Sequence, residues 1–200
     1  MIRPAAAPGR RKNFAGLSDK GRRVRRSGVG AGGPIDRIVT KEDAMSRITP
    51  CLWFKDQAEE AARFYCSILP DSHVDAVHHA TVDSPGPKVG DVLLVEFTLA
   101  GQKMQALNGG MDAEYGLAVS MSFAARDQAE LDRVWDGLLA GGAAQQCGWL
   151  ADRYGLHWQI VPENMGAILA DPAKSKAATT EVFKMVKIDI ATLEKAVANA

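Results

Sequence analysis

The side chains able to do chemistry are few in this chain, and their spacing decides what each could do. Cys147 and His157 lie ten residues apart, a separation that one hairpin could fold together. A cysteine in contact with a histidine is the arrangement of a thiolate nucleophile and its base. Spacing supplies neither the contact nor the activation, so a buried inert thiol is the expected reading, and Cys51 and Cys66 have still less around them. His78 and His79 are adjacent, so in a strand they point to opposite faces and cannot share a metal. Gly28, Gly30 and Gly33 spell the glycine pattern of a dinucleotide-binding turn, which needs a strand before it and a helix after it. An arginine cluster precedes these glycines and Pro34-Ile35-Asp36 follows, so the pattern is a decoy. Asn108-Gly109-Gly110 is a turn signal carrying a polar side chain.

Composition narrows the field. The chain has 200 residues, with 24 basic and 24 acidic side chains. That balance cancels two unlike segments. Residues 1–45 hold 11 basic and 4 acidic residues, a net of +7, and residues 46–200 hold 13 basic and 20 acidic, a net of −7. The first segment, rich in glycine and arginine, is expected to be a disordered extension, and its upstream methionine an artefact of start-site choice, with Met45 the alternative start. Residues 46–200 suffice for one domain with a sizeable core. An acidic compact body argues against nucleic acid as a partner, and no apolar run is long enough for a membrane span. Three cysteines without paired spacing point away from a disulfide scaffold and towards a reducing cytoplasm.

The elements that must position any site repeat. Ile48–Phe54 alternates as a strand, with Leu52 and Phe54 on one face and Thr49, Cys51 and Trp53 on the other. Asp56-Gln57-Ala58-Glu59 then opens a helix with a capping-box outline, and its apolar stripe runs to Leu69. Seventy-one residues later Val119, Met121 and Phe123 alternate with Ser120, Ser122 and Ala124, and Asp127-Gln128-Ala129-Glu130 repeats the tetrapeptide. Three strands are expected after each helix: 72–79, 92–99 and 103–107, then 143–147, 149–151 and 157–161. The predicted class is α+β, two βαβββ modules (about 46–112 and 117–162) forming a partly closed trough. Helices over about 163–198 follow, at 164–169, at 177–185 and after Asp189. Each module's helix covers one sheet face, so the other face is left to be buried or to enclose something.

With these elements placed, several stretches carry a likeness. They are Ile48-Thr-Pro-Cys-Leu-Trp-Phe54, Ala61-Ala-Arg-Phe-Tyr65, Ala106-Leu-Asn-Gly-Gly110, the run from Cys147 to Pro162, and Met185-Val-Lys-Ile-Asp-Ile190. The chain resembles the PhnB-like branch, also labelled the 3-demethylubiquinone-9 3-methyltransferase domain, of the vicinal oxygen chelate (glyoxalase, bleomycin-resistance and dioxygenase) superfamily. The resemblance implies paired modules around a cavity, a homodimer and a small-molecule ligand. It also maps the metal-ligand positions of active relatives onto Thr49, Ser120 and Gln159. Hydroxyls and an amide are weak donors for zinc, iron or manganese, so no metal and no other cofactor is expected.

On that reading Thr49, Cys51 and Trp53 line the cavity from one module and Ser120 and Ser122 from the other. Asn108, Cys147, Trp149, His157 and Gln159 complete the candidate lining, a mixture suited to a small polar-aromatic ligand. The leading expectation is a small-molecule binding protein, or an enzyme of unassigned reaction, with a metal-free cavity. A metal-dependent glyoxalase-like lyase, isomerase or dioxygenase is the second. Methyl transfer to a ubiquinone precursor, as the family label has it, and a purely structural or interaction domain are the others. Fold alone does not choose among them.

Overall fold

The computed structural model describes residues 47–200; the expectations for the basic extension and its glycine pattern fall outside them. The first module runs β1 (Cys51–Phe54), α1 (Ala58–Ile68), β2 (His73–His79), β3 (Val92–Leu99) and β4 (Gln102–Asn108). The second repeats the order with β5 (Met121–Ala125), α2 (Gln128–Leu139), β6 (Ala143–Ala144), β7 (Trp149–Ala151) and β8 (His157–Pro162). Each module forms a four-stranded mixed sheet, ordered β1-β4-β3-β2 and β5-β8-β7-β6. The first strand of each pairs parallel with the fourth, and the other pairings are antiparallel. The α+β class and the paired βαβββ modules are therefore as the sequence predicts, and neither sheet closes into a barrel.

Strand alternation decides which face each helix covers. Leu52, Phe54, Val95, Phe97, Met104 and Ala106 are buried in the first sheet, and Phe123, Ala125, Leu150, Trp158 and Ile160 in the second. These side chains join Tyr65, Leu131, Val134, Trp135 and Leu138 of the two helices in one continuous core. The modules meet on this helix side. Tyr65 packs on Trp158 with ring centroids 5.5 Å apart, Phe54 meets Tyr154 edge-on at 5.6 Å, and the Arg133 guanidinium donates to the Ile68 carbonyl. Gly137 is required there, because a Cβ would come within 2.9 Å of the Ile68 side chain.

The repeated tetrapeptide behaves differently in the two modules. In the second, the Asp127 carboxylate accepts from the Glu130 amide at 2.8 Å, and Glu130 reaches back one residue past the cap to accept the Arg126 amide at 2.9 Å, a variant of the capping box, whose second bond would come from the cap's own amide. In the first, no side chain of the tetrapeptide caps the helix. Asn108, arriving from β4, accepts the Ala58 amide at 2.8 Å instead, so the capping box outlined by the first tetrapeptide does not form. Glu130 is also held by the Arg126 side chain at 2.7 Å, and these bonds lower its pKa to about 2. A carboxylate with a lowered folded-state pKa adds stability above its ordinary value near 4.3 and loses it as pH falls towards 2. Urea midpoints at pH 7, 4 and 3 should therefore drop more steeply in the native chain than in Glu130→Gln; parallel profiles would contradict this.

Three predicted strands are shorter than the sequence pattern. β1 begins at Cys51 and β5 at Met121, so Thr49 and Ser120 sit just before their strands. The strand expected over 143–147 stops at Ala144, because Cys147 adopts a left-handed φ of 64° and turns its amide to the Met185 carbonyl, 2.8 Å away. The helix expected at 177–185 is instead α4 (Pro172–Val182). Asp171 caps it by accepting from the amides of Ala173 and Lys174, with Pro172 at the first helical position. Helices α3 (Met165–Ala170) and α5 (Ile190–Ala198, capped by Asp189) match their predicted places. Among the described residues no helix is long and apolar enough to cross a membrane.

Candidate functional site

The open face of the second sheet gathers five of the ten sequence candidates. The register sets Ser122 opposite Gln159 and Gln159 opposite Trp149. Because Trp158 is buried on the helix side, alternation puts His157 and Gln159 together on the other face. Ser120 precedes the Met121–Trp158 pair, and the Gln159 side-chain amide donates to the Ser120 hydroxyl at 2.8 Å. Two of the three ligand-equivalent positions are thus in direct contact, and each spends a polar group on the other.

The first module places its candidates less openly. Trp53 lies on the open face, but its indole N–H donates to the Met111 carbonyl at 3.0 Å and its main-chain carbonyl accepts from the Tyr115 hydroxyl at 2.6 Å. Its ring lies flat on Gly109, where a Cβ would fall 1.8 Å from it. Gly109→Ala should therefore push the indole off the turn, costing about 1–2 kcal/mol and altering the tryptophan fluorescence; an unchanged spectrum would contradict the packing. Asn108 is buried and tied down on both sides, accepting from Ala58 and donating to the Val92 carbonyl at 3.0 Å. It also lines a cavity of about 450 Å³ with Lys55, Asp56, Asp91 and the Pro85–Pro87 turn. Thr49 is half-buried and Cys51 exposed. Desolvation raises the Cys51 thiol above its ordinary pKa, away from a reactive thiolate.

Cys147 and His157 are not brought together. β7 pairs Ala151 with His157, four residues along the chain from Cys147, whose backbone serves the closing segment. Cys147 and Gly148 donate to the carbonyls of Met185 and Val186, both at 2.8 Å. Gln128, from the repeated tetrapeptide, donates to the Ile188 carbonyl and accepts the Ile190 amide. The likeness at 147–148 and at 185–190 is therefore one structural joint seen twice.

Asp152 is the functional-looking residue that the site candidates omit. Its carboxylate is buried and accepts from the Tyr154 amide at 2.8 Å, the Leu156 amide at 3.1 Å and the Trp158 indole at 2.8 Å. It shapes the turn that delivers His157 and Gln159. The signal was in the sequence: an aspartate three residues before a glycine, with Gly155 at φ 82°. Burial, and then the Asp152 charge, push the Tyr65 phenol far above its ordinary range.

The donors at Thr49, Ser120 and Gln159 do not fit a first-row divalent metal, which asks for imidazole, carboxylate or thiolate. Among the described residues no three His, Cys, Asp or Glu side chains are grouped to hold a metal ion.

Comparison with known proteins now decides the family. Residues 46–161 match the family described as 3-demethylubiquinone-9 3-methyltransferase. The chain belongs to that family. Its fold is shared with one solved relative, and two further structures are similar to it at lower scores. A PhnB protein of Bacillus cereus is 29% identical, with a TM-score of 0.53 over 58% of this chain and 99% of that one. A Pseudomonas aeruginosa protein is 23% identical (TM-score 0.48, 58% and 96% covered). A Frankia glyoxylase/bleomycin resistance protein/dioxygenase domain is 18% identical (TM-score 0.41, 60% and 98% covered). No curated protein matches. The PhnB-like likeness read from the motifs is thereby confirmed.

Proposed function

We propose that this PhnB-like chain binds a small molecule on the open polar-aromatic face of its second module, through a site that uses no metal. The observation carrying this reading is the 2.8 Å hydrogen bond from Gln159 to Ser120. At positions where metal-dependent relatives are expected to place ligands, two neutral side chains satisfy each other and leave hydroxyl and amide groups to orient an organic ligand. Trp149, across from Gln159, supplies the apolar wall. The resemblance adds a homodimer as the working assembly.

Methyl transfer, the chemistry in the family's description, finds no support in the local architecture. A glycine-rich turn between strand and helix is how doubly wound folds cradle a nucleotide-bearing cofactor. Here β1 passes to α1 through Lys55-Asp56-Gln57, and β5 to α2 through Arg126-Asp127. Calorimetric titration with S-adenosylmethionine is expected to give no saturable heat. A one-to-one isotherm, or methyl transfer to a phenolic quinone precursor, would restore the methyltransferase reading.

A further inference from the structure

His157 opens β8 opposite Ala151 on β7, and continuing the β5–β8 register back by one residue sets it beside Ser120, just ahead of β5. With Ser120, Ser122 and Gln159 it completes a two-by-two patch on one sheet face, neighbours being about 5 Å apart across strands and about 7 Å apart along them. It differs from the other three. Only 9% of it is exposed, and its Nδ1 is buried without a hydrogen-bond partner. A ring nitrogen is a donor or an acceptor in every tautomer, and burying one unpaired is unfavourable. Tyr65 Oη is likewise unpartnered, but it belongs to the helix-side core. On the open face His157 is therefore a polar group whose cost a ligand can repay.

The rest of the patch indicates what kind of ligand. Ser120 already accepts the Gln159 amide, so its own proton is left to donate. None of Ser120, Ser122, His157, Gln159 and Trp149 is a carboxylate, so nothing in the patch neutralises an amine. Donors beside an indole favour an acidic oxygen on an aromatic or apolar body. We propose that His157 is a ligand-binding residue of this patch and that the ligand is a small aromatic or apolar acid, whose carboxylate or phenolate oxygen takes a hydrogen bond from Nδ1–H as the ring turns that buried nitrogen to the open face. This rests on the metal-free site proposed above.

Benzoate, with benzamide as its uncharged counterpart, is a direct probe on the full isotopically labelled chain. Titration followed by NMR should move the His157 imidazole resonances together with the Gln159 side-chain amide, and benzoate should bind more tightly than benzamide. His157→Phe should weaken benzoate at least tenfold. His157→Asn, whose amide nitrogen falls near the position of Nδ1, should recover part of the loss, with thermal melts confirming that both variants fold. If benzoate saturates the Gln159 amide while His157 stays unmoved, the assignment of His157 fails and the site stands. Equal binding of benzamide overturns the acid class. Shifts confined to other surfaces, or no saturable binding, overturn the site as well.

Discussion

Asp152→Ala is expected to cost about 3–5 kcal/mol, the largest loss of stability from any single change considered for this domain. Three donors converge on this buried carboxylate: two amides of its own turn and the Trp158 indole. Alanine would leave the Leu156 amide and the Trp158 indole buried without partners and the half-buried Tyr154 amide unpaired, and stranded donors cost more than the net worth of the bonds they made. Trp158 and Tyr65 pack on each other across the module junction, so loosening the indole also loosens that junction. For a domain of this size the melting temperature should fall by roughly 10 °C or more. Asp152→Asn keeps an acceptor for the turn amides but sets an N–H₂ group near the indole N–H, so it should fall between the two. A melting temperature for Asp152→Ala within about 2 °C of the native value would show that the turn does not depend on the carboxylate.

Gln159→Ala is expected to do the reverse, sparing the fold and disabling the site. The side chain is half-buried on the open face, and its one hydrogen bond is to the hydroxyl of Ser120, itself half-buried. Its removal should leave the melting temperature nearly unchanged. Affinity for a ligand seated on the patch, taken as the best binder from a fragment screen by ligand-observed NMR, should fall ten- to hundredfold, or about 1.4–2.8 kcal/mol. Ser120→Ala should show a smaller loss, because water can replace the hydroxyl as partner for the amide. An unchanged dissociation constant in Gln159→Ala would remove the residue from the site.

The contrast between these two residues shows what the sequence could reveal. Period-two and helical patterning made both modules legible, because each half-buried sheet and each helix must write its buried face into the chain. The 71-residue repeat reinforced that reading. Patterning did not reveal how the repeat had diverged. Asp127 caps its helix, whereas at Asp56 the corresponding work passes to Asn108 from a strand fifty residues away, and no local rule encodes a partner so distant. Period-two patterning puts Cys147 in a strand for the same reason. Its left-handed backbone depends on the carbonyl of Met185, a residue from the far end of the domain. On the open face of the second sheet, alternation sets Ser122 with Ser120 and Gln159 with His157, as the register does, while Trp53 is less free than its alternation suggests. Its clamp by Gly109, Met111 and Tyr115 is a tertiary contact. The Asp152-Arg-Tyr-Gly155 spacing marks a turn, but burial of its carboxylate under the Trp158 indole is a tertiary fact that the spacing does not carry.

The central claim is that the second module's open face is an organic-ligand site without a metal. Native mass spectrometry of the full chain, purified without added metal, tests it most directly. No stoichiometric divalent ion is expected, and either the bare chain mass or an adduct of a small organic molecule that is lost in Gln159→Ala. A stoichiometric, tightly held Zn, Fe, Mn or Ni ion would contradict it.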